Sequence, residues 1–287
     1  MERDILNIPA YAKINIGLKI TGRLSNGYHT LYSLFQEIDL HDNLTISSID
    51  SDKVVFTSSG IPIPGNGLNL CVKAANLLKK RYQIHHGVKI HLSKNIPIGA
   101  GLGGGSSDAA TTLKALTNVW GLKISESQMI SLSTELGADV PFFIHGGLQL
   151  AENIGDKLSS QNPKIFSGLY MLLIKPEYDI STPWAYEQIK KYLIIQENIS
   201  NFAPLETPIK WQLFENDFER VIESTYPEVS NIKNRLIESG AVFASLSGSG
   251  STVYGIFDNQ KEAEKVQSSF ATHPYWTCIS RPVINTS

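Results

Sequence analysis

The chain has 287 residues, of which 42% are hydrophobic and 18% charged, and its formal net charge is −2. This length allows one large core or two packed lobes, and the composition is that of an ordinary globular protein. The near-neutral balance argues against a nucleic-acid or anionic-membrane surface, so an anionic ligand would be held by local charge and backbone N–H groups. Cys71 and Cys278 are isolated from each other and supply neither a disulfide framework nor zinc spacing. The opening Met-Glu-Arg-Asp has no apolar signal core and no run approaches a membrane span, so a cytoplasmic protein is expected.

Ile14, Ile16, Leu18 and Ile20 alternate with Lys13, Asn15, Gly17 and Lys19, the period of a half-buried strand. Lys13 and Asn15 therefore project from one face. That face is either solvated or a source of positive charge beside a hydrogen-bonding amide. Asn26-Gly27 marks a turn. Tyr28 and His29 follow it, either as aromatic edge contacts or as groups that stack on and hydrogen-bond a base. Strands are expected at 54–57 and 88–92, with a helix carrying Leu70, Ala74, Leu77 and Leu78 between them.

Residues 97–108 read Pro-Ile-Gly-Ala-Gly-Leu-Gly-Gly-Gly-Ser-Ser-Asp and run into a helix with Ala109, Ala110, Leu113, Leu116 and Trp120 on one face. Glycines let consecutive N–H groups form a concave anion site, and the positive end of the following helix favours phosphate at the same place. Ser106 and Ser107 are placed to cap that helix, donate to phosphate or ligate Mg²⁺. No Gly-Lys pair occurs, which excludes a Walker A loop, and His-Arg-Asp and Asp-Phe-Gly are both absent, which excludes a protein kinase. Gly99, Gly101 and Gly104 satisfy a dinucleotide fingerprint with Glu126 about twenty residues on, but any glycine run this dense contains it. A nucleotide-binding oxidoreductase is therefore a rival reading with little behind it.

Ser125 and Gln128 form a capping-box signature, Met129, Leu132 and Leu136 line a helix, and Gly137 ends it. Asp139 then precedes Val-Pro-Phe-Phe-Ile, which reads as an apolar strand, with further strand over 142–150 turning near Gly146-Gly147. Such an aspartate either shapes a turn or, paired with a lysine, serves as a base for a hydroxyl. The second half offers a strand at 169–174, a helix with Val229, Ile232 and Leu236 closed by Gly240, and strands at 241–246 and 252–257. A helix is expected at 261–270. The Ser-Gly-Ser-Gly-Ser turn of 247–251 is either a hairpin turn or a second phosphate loop. Interleaved strands and helices indicate an α+β chain of two lobes, 1–160 and 161–287, with the boundary near residue 160.

Pro9-Ala10 through Lys13-Ile14-Asn15, Pro97 to Ala110, and Ala244 to Thr252 resemble, in order, the three motifs of the GHMP kinase superfamily. Within it, Ala12–Asn15, Gly27-Tyr28-His29, Leu136–Pro141 and Ser181-Thr182-Pro183 most resemble the members that phosphorylate a cytidylated methylerythritol. The resemblance implies a two-lobed fold, ribosomal-S5-like at the N-terminus and ferredoxin-like at the C-terminus. It implies catalytic roles for Lys13 and Asp139. It also implies that Pro97, Ile98, Gly99, Ala100, Gly101, Leu102, Gly103, Gly104, Gly105, Ser106 and Ser107 wrap ATP phosphates, with Asn69, Leu70, Lys94 and Ile98 near adenine. The substrate's cytidine would lie between Tyr28 and Tyr186 with His29 at the cytosine edge, and Asn15, Thr182 and Pro183 complete the implied substrate set. Mg²⁺ is implied with ATP; no motif identifies a dedicated carboxylate ligand, and Ser106 or Ser107 is the candidate hydroxyl. A GHMP kinase for mevalonate or homoserine would keep the three motifs without the Tyr28-His29 pair.

Overall fold

The computed structural model describes the backbone of residues 3–64, 69–190 and 205–284. The described residues within 1–12, 40–98 and 103–145 form one compact unit, and those within 13–39, 99–102 and 146–287 form another. These units are discontinuous in sequence, whereas the expected lobes meet at one boundary near residue 160. Two long paired strands are the reason. Strand β1 (Arg3–Arg23) and strand β2 (His29–Ile49) have 21 residues each, and each contributes to both units.

In the first unit, residues Asn43–Ile49 of β2 pair antiparallel with β4 (Gly87–Lys94), and β4 pairs parallel with β3 (Val54–Gly60). A parallel pair needs a crossover, and helix α1 (Leu70–Tyr82) lies within it. Four helices pack in this unit: α1, α2 (Gly104–Val119), α3 (Glu126–Leu136) and α4 (Val140–His145). Leu44, Ile46, Val88, Ile90 and Leu92 from the strands meet Ala74, Leu78, Leu113, Leu116 and Leu132 from the helices in one core. Each large aliphatic side chain buried there contributes about 1.5–3 kcal/mol. The Ser125 capping box is formed, with Ser125 accepting from Gln128 N–H and the Gln128 side chain bonded back to Ser125 N–H.

Two expectations fail in this unit. Residues 140–145 are helical, where a strand was expected after Asp139. A short apolar run does not distinguish a buried strand from a buried helix, and Pro141 fits a first helical turn, where its missing N–H is not needed. Helix α2 begins at Gly104, with Gly103 in the left-handed conformation at its N-cap and no side-chain cap. Ser106 and Ser107 therefore lie inside the first turn and do not cap it.

In the second unit, residues Ser33–Gln36 of β2 pair with β5 (Leu148–Glu152), which pairs with β6 (Lys157–Ser160). The rest runs β7 (Tyr170–Lys175), α5 (Thr182–Ile189), α6 (Glu219–Thr225), α7 (Pro227–Glu238), β8 (Phe243–Leu246), β9 (Val253–Phe257), α8 (Gln260–Ser269) and β10 (Trp276–Ser280). The four strands form an antiparallel sheet in the order β10-β7-β9-β8. Numbered within the sheet this is 4-1-3-2 with helices in both crossovers, the ferredoxin-like β-α-β-β-α-β arrangement that was expected. Helix α7 packs on β8 and β9, and α8 on β7, β9 and β10. Among the described residues no helix is long and apolar enough to cross a membrane.

Candidate active site

The glycine-rich loop connects β4 to α2, as the sequence pattern requires. Gly99, Gly101 and Gly103 have φ of 64°, 75° and 71°, so positive φ recurs at alternate residues. That conformation is open to glycine without strain, and it is the backbone pattern that turns N–H groups toward an anion. Glu126 opens α3 and does not end a strand, which removes the dinucleotide reading.

In the first unit the loop's distal half meets the residues implied for adenine. A β-carbon on Gly105 would stand 3.6 Å from Leu70 Cδ1. Asn69 caps α1, its Oδ1 accepting from Cys71 N–H at 2.8 Å. A β-carbon on Gly104 would come within 2.9 Å of Ile96 Cγ2 and 3.0 Å of Lys94 Nζ, so glycine is needed there for space. Lys94 is buried, and its ammonium donates to both Asp42 and Asp108, the latter at 2.8 Å. Asp42 also accepts from Asn95 and Ile96 N–H at 2.6 and 2.8 Å.

This trio contains two carboxylates and one ammonium. Burial works to lower the Lys94 pKa, but Asp108 and Asp42 outweigh it and the net shift is upward. Burial pushes Asp108 up to about 7, with Asp42 adding to the rise and Lys94 opposing it. Asp108 Oδ1 is buried without a hydrogen-bond partner among the described residues. Asp139 is half-buried in the turn before α4, and Lys114 Nζ donates to the Phe143 carbonyl near the end of that helix at 3.1 Å.

In the second unit Lys13 and Asn15 are buried, which removes the solvated-face reading. Lys13 Nζ donates to Asn15 Oδ1 at 2.6 Å and lies 4.9 Å from the centre of the Phe35 ring. Asn15 Nδ2 donates to Ser33 Oγ at 3.0 Å, and Ser33 Oγ donates to the Gly17 carbonyl at 2.7 Å. Lys13 N–H donates to the Leu102 carbonyl at 3.0 Å, tying β1 to the glycine loop. The 247–251 turn closes on the same place. Ser247 Oγ donates to the Gly101 carbonyl at 2.9 Å and accepts from Asn15 N–H at 3.4 Å.

Tyr28 is 59% exposed, while His29 beside it is buried. The His29 ring stacks on Tyr186 with centroids 5.0 Å apart and planes at 18°. Burial, with Arg23 and Lys190 nearby, lowers the His29 pKa, and His29 Nε2 has no partner among the described residues. Thr182 and Pro183 are exposed at the start of α5, and Thr182 Oγ1 is 2.8 Å from Ser249 Oγ. The structure thus joins Tyr28, His29, Tyr186, Lys13, Asn15, Thr182 and the 247–251 turn within one unit.

The description "GHMP kinases N terminal domain" matches residues 69–147, and "GHMP kinases C terminal" matches residues 192–275. Together these take in more than half of the chain. The chain belongs to the GHMP kinase family. It is 39% identical over 96% of its length to the 4-diphosphocytidyl-2-C-methyl-D-erythritol kinase of Chlorobium limicola, covering 97% of that protein. It is 40% identical over 91% of its length to the protein of the same name from Prosthecochloris aestuarii, covering 92% of it. A crystal structure of 4-(cytidine 5'-diphospho)-2C-methyl-D-erythritol kinase superposes with a TM-score of 0.77 at 28% identity, over 96% of this chain and 99% of that one. Homoserine kinase from Cytophaga hutchinsonii superposes at 0.74 with 18% identity, over 99% and 96%, and shows the fold alone.

In each unit the candidate groups have neighbours that no sequence signal marked. Ser33 and Tyr254 orient Asn15, the latter donating its hydroxyl to the Asn15 carbonyl at 2.8 Å. Asp42 shares Lys94 with Asp108 from a strand position with no motif around it. Among the described residues no group of three or more His, Cys, Asp or Glu side chains is arranged to hold a metal ion. A GHMP kinase nucleotide does fit the loop, because positive-φ glycines and a helix N-terminus free of side-chain caps leave backbone N–H groups available.

Proposed function

We propose that this protein transfers the γ-phosphoryl group of ATP to the 2-hydroxyl of 4-diphosphocytidyl-2-C-methyl-D-erythritol, a step of non-mevalonate isoprenoid precursor synthesis in the cytoplasm. The observation that carries the reading is the 39% identity, over 96% of the chain, to a relative bearing that substrate's name. ATP supplies the phosphoryl group. Pro97 to Ser107 bind its phosphates through backbone N–H groups, and Asn69, Leu70, Lys94 and Ile98 form the base side of the nucleotide site. Mg²⁺ accompanies the phosphates, with Ser106 or Ser107 as the hydroxyl ligand. Residues 1–160 act as the ATP-binding and catalytic lobe and residues 161–287 as the substrate lobe.

The acceptor oxygen attacks the γ-phosphorus, the bond to the β-phosphate oxygen breaks, and the hydroxyl proton passes to Asp139. Lys13 supplies positive charge to the phosphoryl group in flight. The burial of this ammonium and its hydrogen bond to the Asn15 amide hold it in one place, which supports this role. The cytidine stacks on Tyr28 and Tyr186, and Asn15, Thr182 and Pro183 line the remainder of the substrate. The unpartnered Nε2 of a neutral His29 supports base reading, because neutral imidazole donates from one nitrogen and accepts at the other.

Purified protein should consume ATP with the cytidylated methylerythritol and not with mevalonate or homoserine. Turnover of either of those alcohols with none of the cytidylated substrate would overturn the assignment. Likeness to kinases of those alcohols is limited to fold.

A further inference from the structure

Residues 214–219 read Phe-Glu-Asn-Asp-Phe-Glu and belong to none of the motifs above. Their backbone nevertheless docks on β1. Leu18 N–H donates to the Glu215 carbonyl and Asp217 N–H to the Leu18 carbonyl, each at 2.8 Å, a parallel bridge that sets Asn216 opposite Leu18. Asn216 is 4% exposed, and Nδ2 donates to the carbonyls of both Leu246 and Gly248 at 2.8 Å. Its Oδ1 accepts from Phe218 N–H at 3.0 Å, which decides the orientation of the amide. Both Asn216 N–H groups are thus spent on the start of the 247–251 turn.

The opposite side of that turn rests on the proposed phosphoryl-transfer residues. Gly248 has φ of +59°, and a β-carbon there would stand 3.2 Å from Asn15 Oδ1 and 3.8 Å from Lys13 Nζ. Asn15 Oδ1 is the atom that accepts from Lys13. Any shift of the Gly248 backbone toward β1 therefore presses on the pair, and any shift away opens the side of Asn15 Oδ1 that the turn covers.

We infer that Asn216 is a positioning residue for phosphoryl transfer, its amide clamping the 246–248 backbone so that the turn holds Lys13 and Asn15 in place. The inference rests on the role given to Lys13 above. Without the Nδ2 donors the Gly248 carbonyl loses a donor, the Leu246 carbonyl keeps its 3.4 Å bond from Ser245 Oγ, and the turn relaxes. A displacement of about 1 Å at a reacting group costs on the order of 10² in rate.

The test uses Asn216→Ser and Asn216→Asp in the full chain; aspartate keeps the acceptor for Phe218 N–H and has no N–H to donate. Each protein is assayed about 15 °C below its own unfolding midpoint, so that all are folded. The expected result is a kcat lowered about 10- to 100-fold in both, with KM for ATP within about threefold of wild type. Gly248→Ala, which disturbs the pair from the other side, should show the same split. A folded Asn216→Ser with kcat within about twofold of wild type would overturn the inference. So would a rise in KM for ATP as large as the loss of kcat, and so would failure of both Asn216 variants to fold at any temperature, which would make Asn216 a residue of folding alone. Wild-type protein inactive on the cytidylated substrate is a different failure, seen before any variant is compared, and it counts against the functional reading.

Discussion

Gly101 and Ser247 meet backbone to backbone: a β-carbon on Gly101 would stand 2.1 Å from the Ser247 carbonyl oxygen. The first of two loops joined this way carries φ of +75° at Gly101, so a side chain there meets both strain and collision. Gly101→Ala should lower stability by about 1–3 kcal/mol and kcat/KM for ATP by about 10²-fold. Gly105→Ala is the contrast. Its β-carbon would make ordinary contact with Leu70 at 3.6 Å, and alanine in a helix is favoured by about 0.5–1 kcal/mol. We expect Gly105→Ala to fold at least as well as wild type while its KM for ATP rises, because the exposed β-carbon stands where phosphate approaches. Paired thermal melts and ATP titrations would show this, and an unchanged KM would remove Gly105 from the phosphate site.

Lys13→Met keeps the length of the side chain and its packing on Phe35 but deletes the charge. The expected loss in kcat is about 10²–10³-fold, with the protein still folded. Asp139→Asn should lower kcat by about 10²–10⁴-fold with little change in substrate KM. Steady-state kinetics beside circular dichroism checks both, and activity lost only in step with folding would return Asp139 to a turn-forming role.

Tyr28 is exposed, so Tyr28→Ala should leave the unfolding midpoint where it is. Loss of one base–aromatic stack, worth about 1–3 kcal/mol, raises KM for the cytidylated substrate roughly 5- to 150-fold. KM for ATP should stay near wild type. An equal defect toward both substrates would place Tyr28 in the nucleotide pocket and dismantle the stacking model.

The Lys94 trio predicts a pH dependence. Burial, with Asp42 adding to it and Lys94 opposing, raises folded Asp108 to about 7, well above the ordinary aspartate range. A carboxyl raised in the folded state stabilises fully below its unfolded pKa and loses that contribution as pH climbs through the folded one. The window is therefore from about pH 4 to about pH 7. The facing groups are the Lys94 ammonium, the Asp42 carboxyl and the Cys71 thiol, itself pushed up to about 12 mainly by burial. Asp108→Asn removes the titration, so its stability relative to wild type should improve as pH rises from 5 to about 8. Denaturant unfolding at both ends of that range is the measurement, and a constant difference would mean that Asp108 is ionised throughout.

Much of the site was legible in the residues alone, and for identifiable reasons. A dense glycine run before an amphipathic helix announces a phosphate loop because few other sequences tolerate positive φ at alternate positions. The Ser125 capping box and the alternation of Ile14, Ile16, Leu18 and Ile20 are local patterns, and local physics decided them. The strand β1, the start of α3 and the β-β hairpin around 247–251 followed from spacing within a few residues of chain.

Burial and partnership were not local, and there the residues were silent or misleading. Alternation put Lys13 and Asn15 on a polar face of β1, but only tertiary packing made that face an interior one, with Phe35 and Ser33 of β2 against it. The apolar run after Asp139 fits either a strand or a helix by period, and its surroundings in the first unit settled it as α4. Gly103, in the left-handed conformation, stands at the helix cap ahead of the serines, and Gly104 lies too close to Ile96 and Lys94 to carry a side chain. Sequence alone determined the family and marked the glycine-rich loop, Lys13 and Asp139 as the candidates for the chemistry, since each lies in a contiguous motif. The tertiary structure alone decided that Asp42 and Asp108 share Lys94 and that Asn216 holds the 247–251 turn, because those pairings join residues separated by between 14 and 52 positions of chain that no local pattern connects.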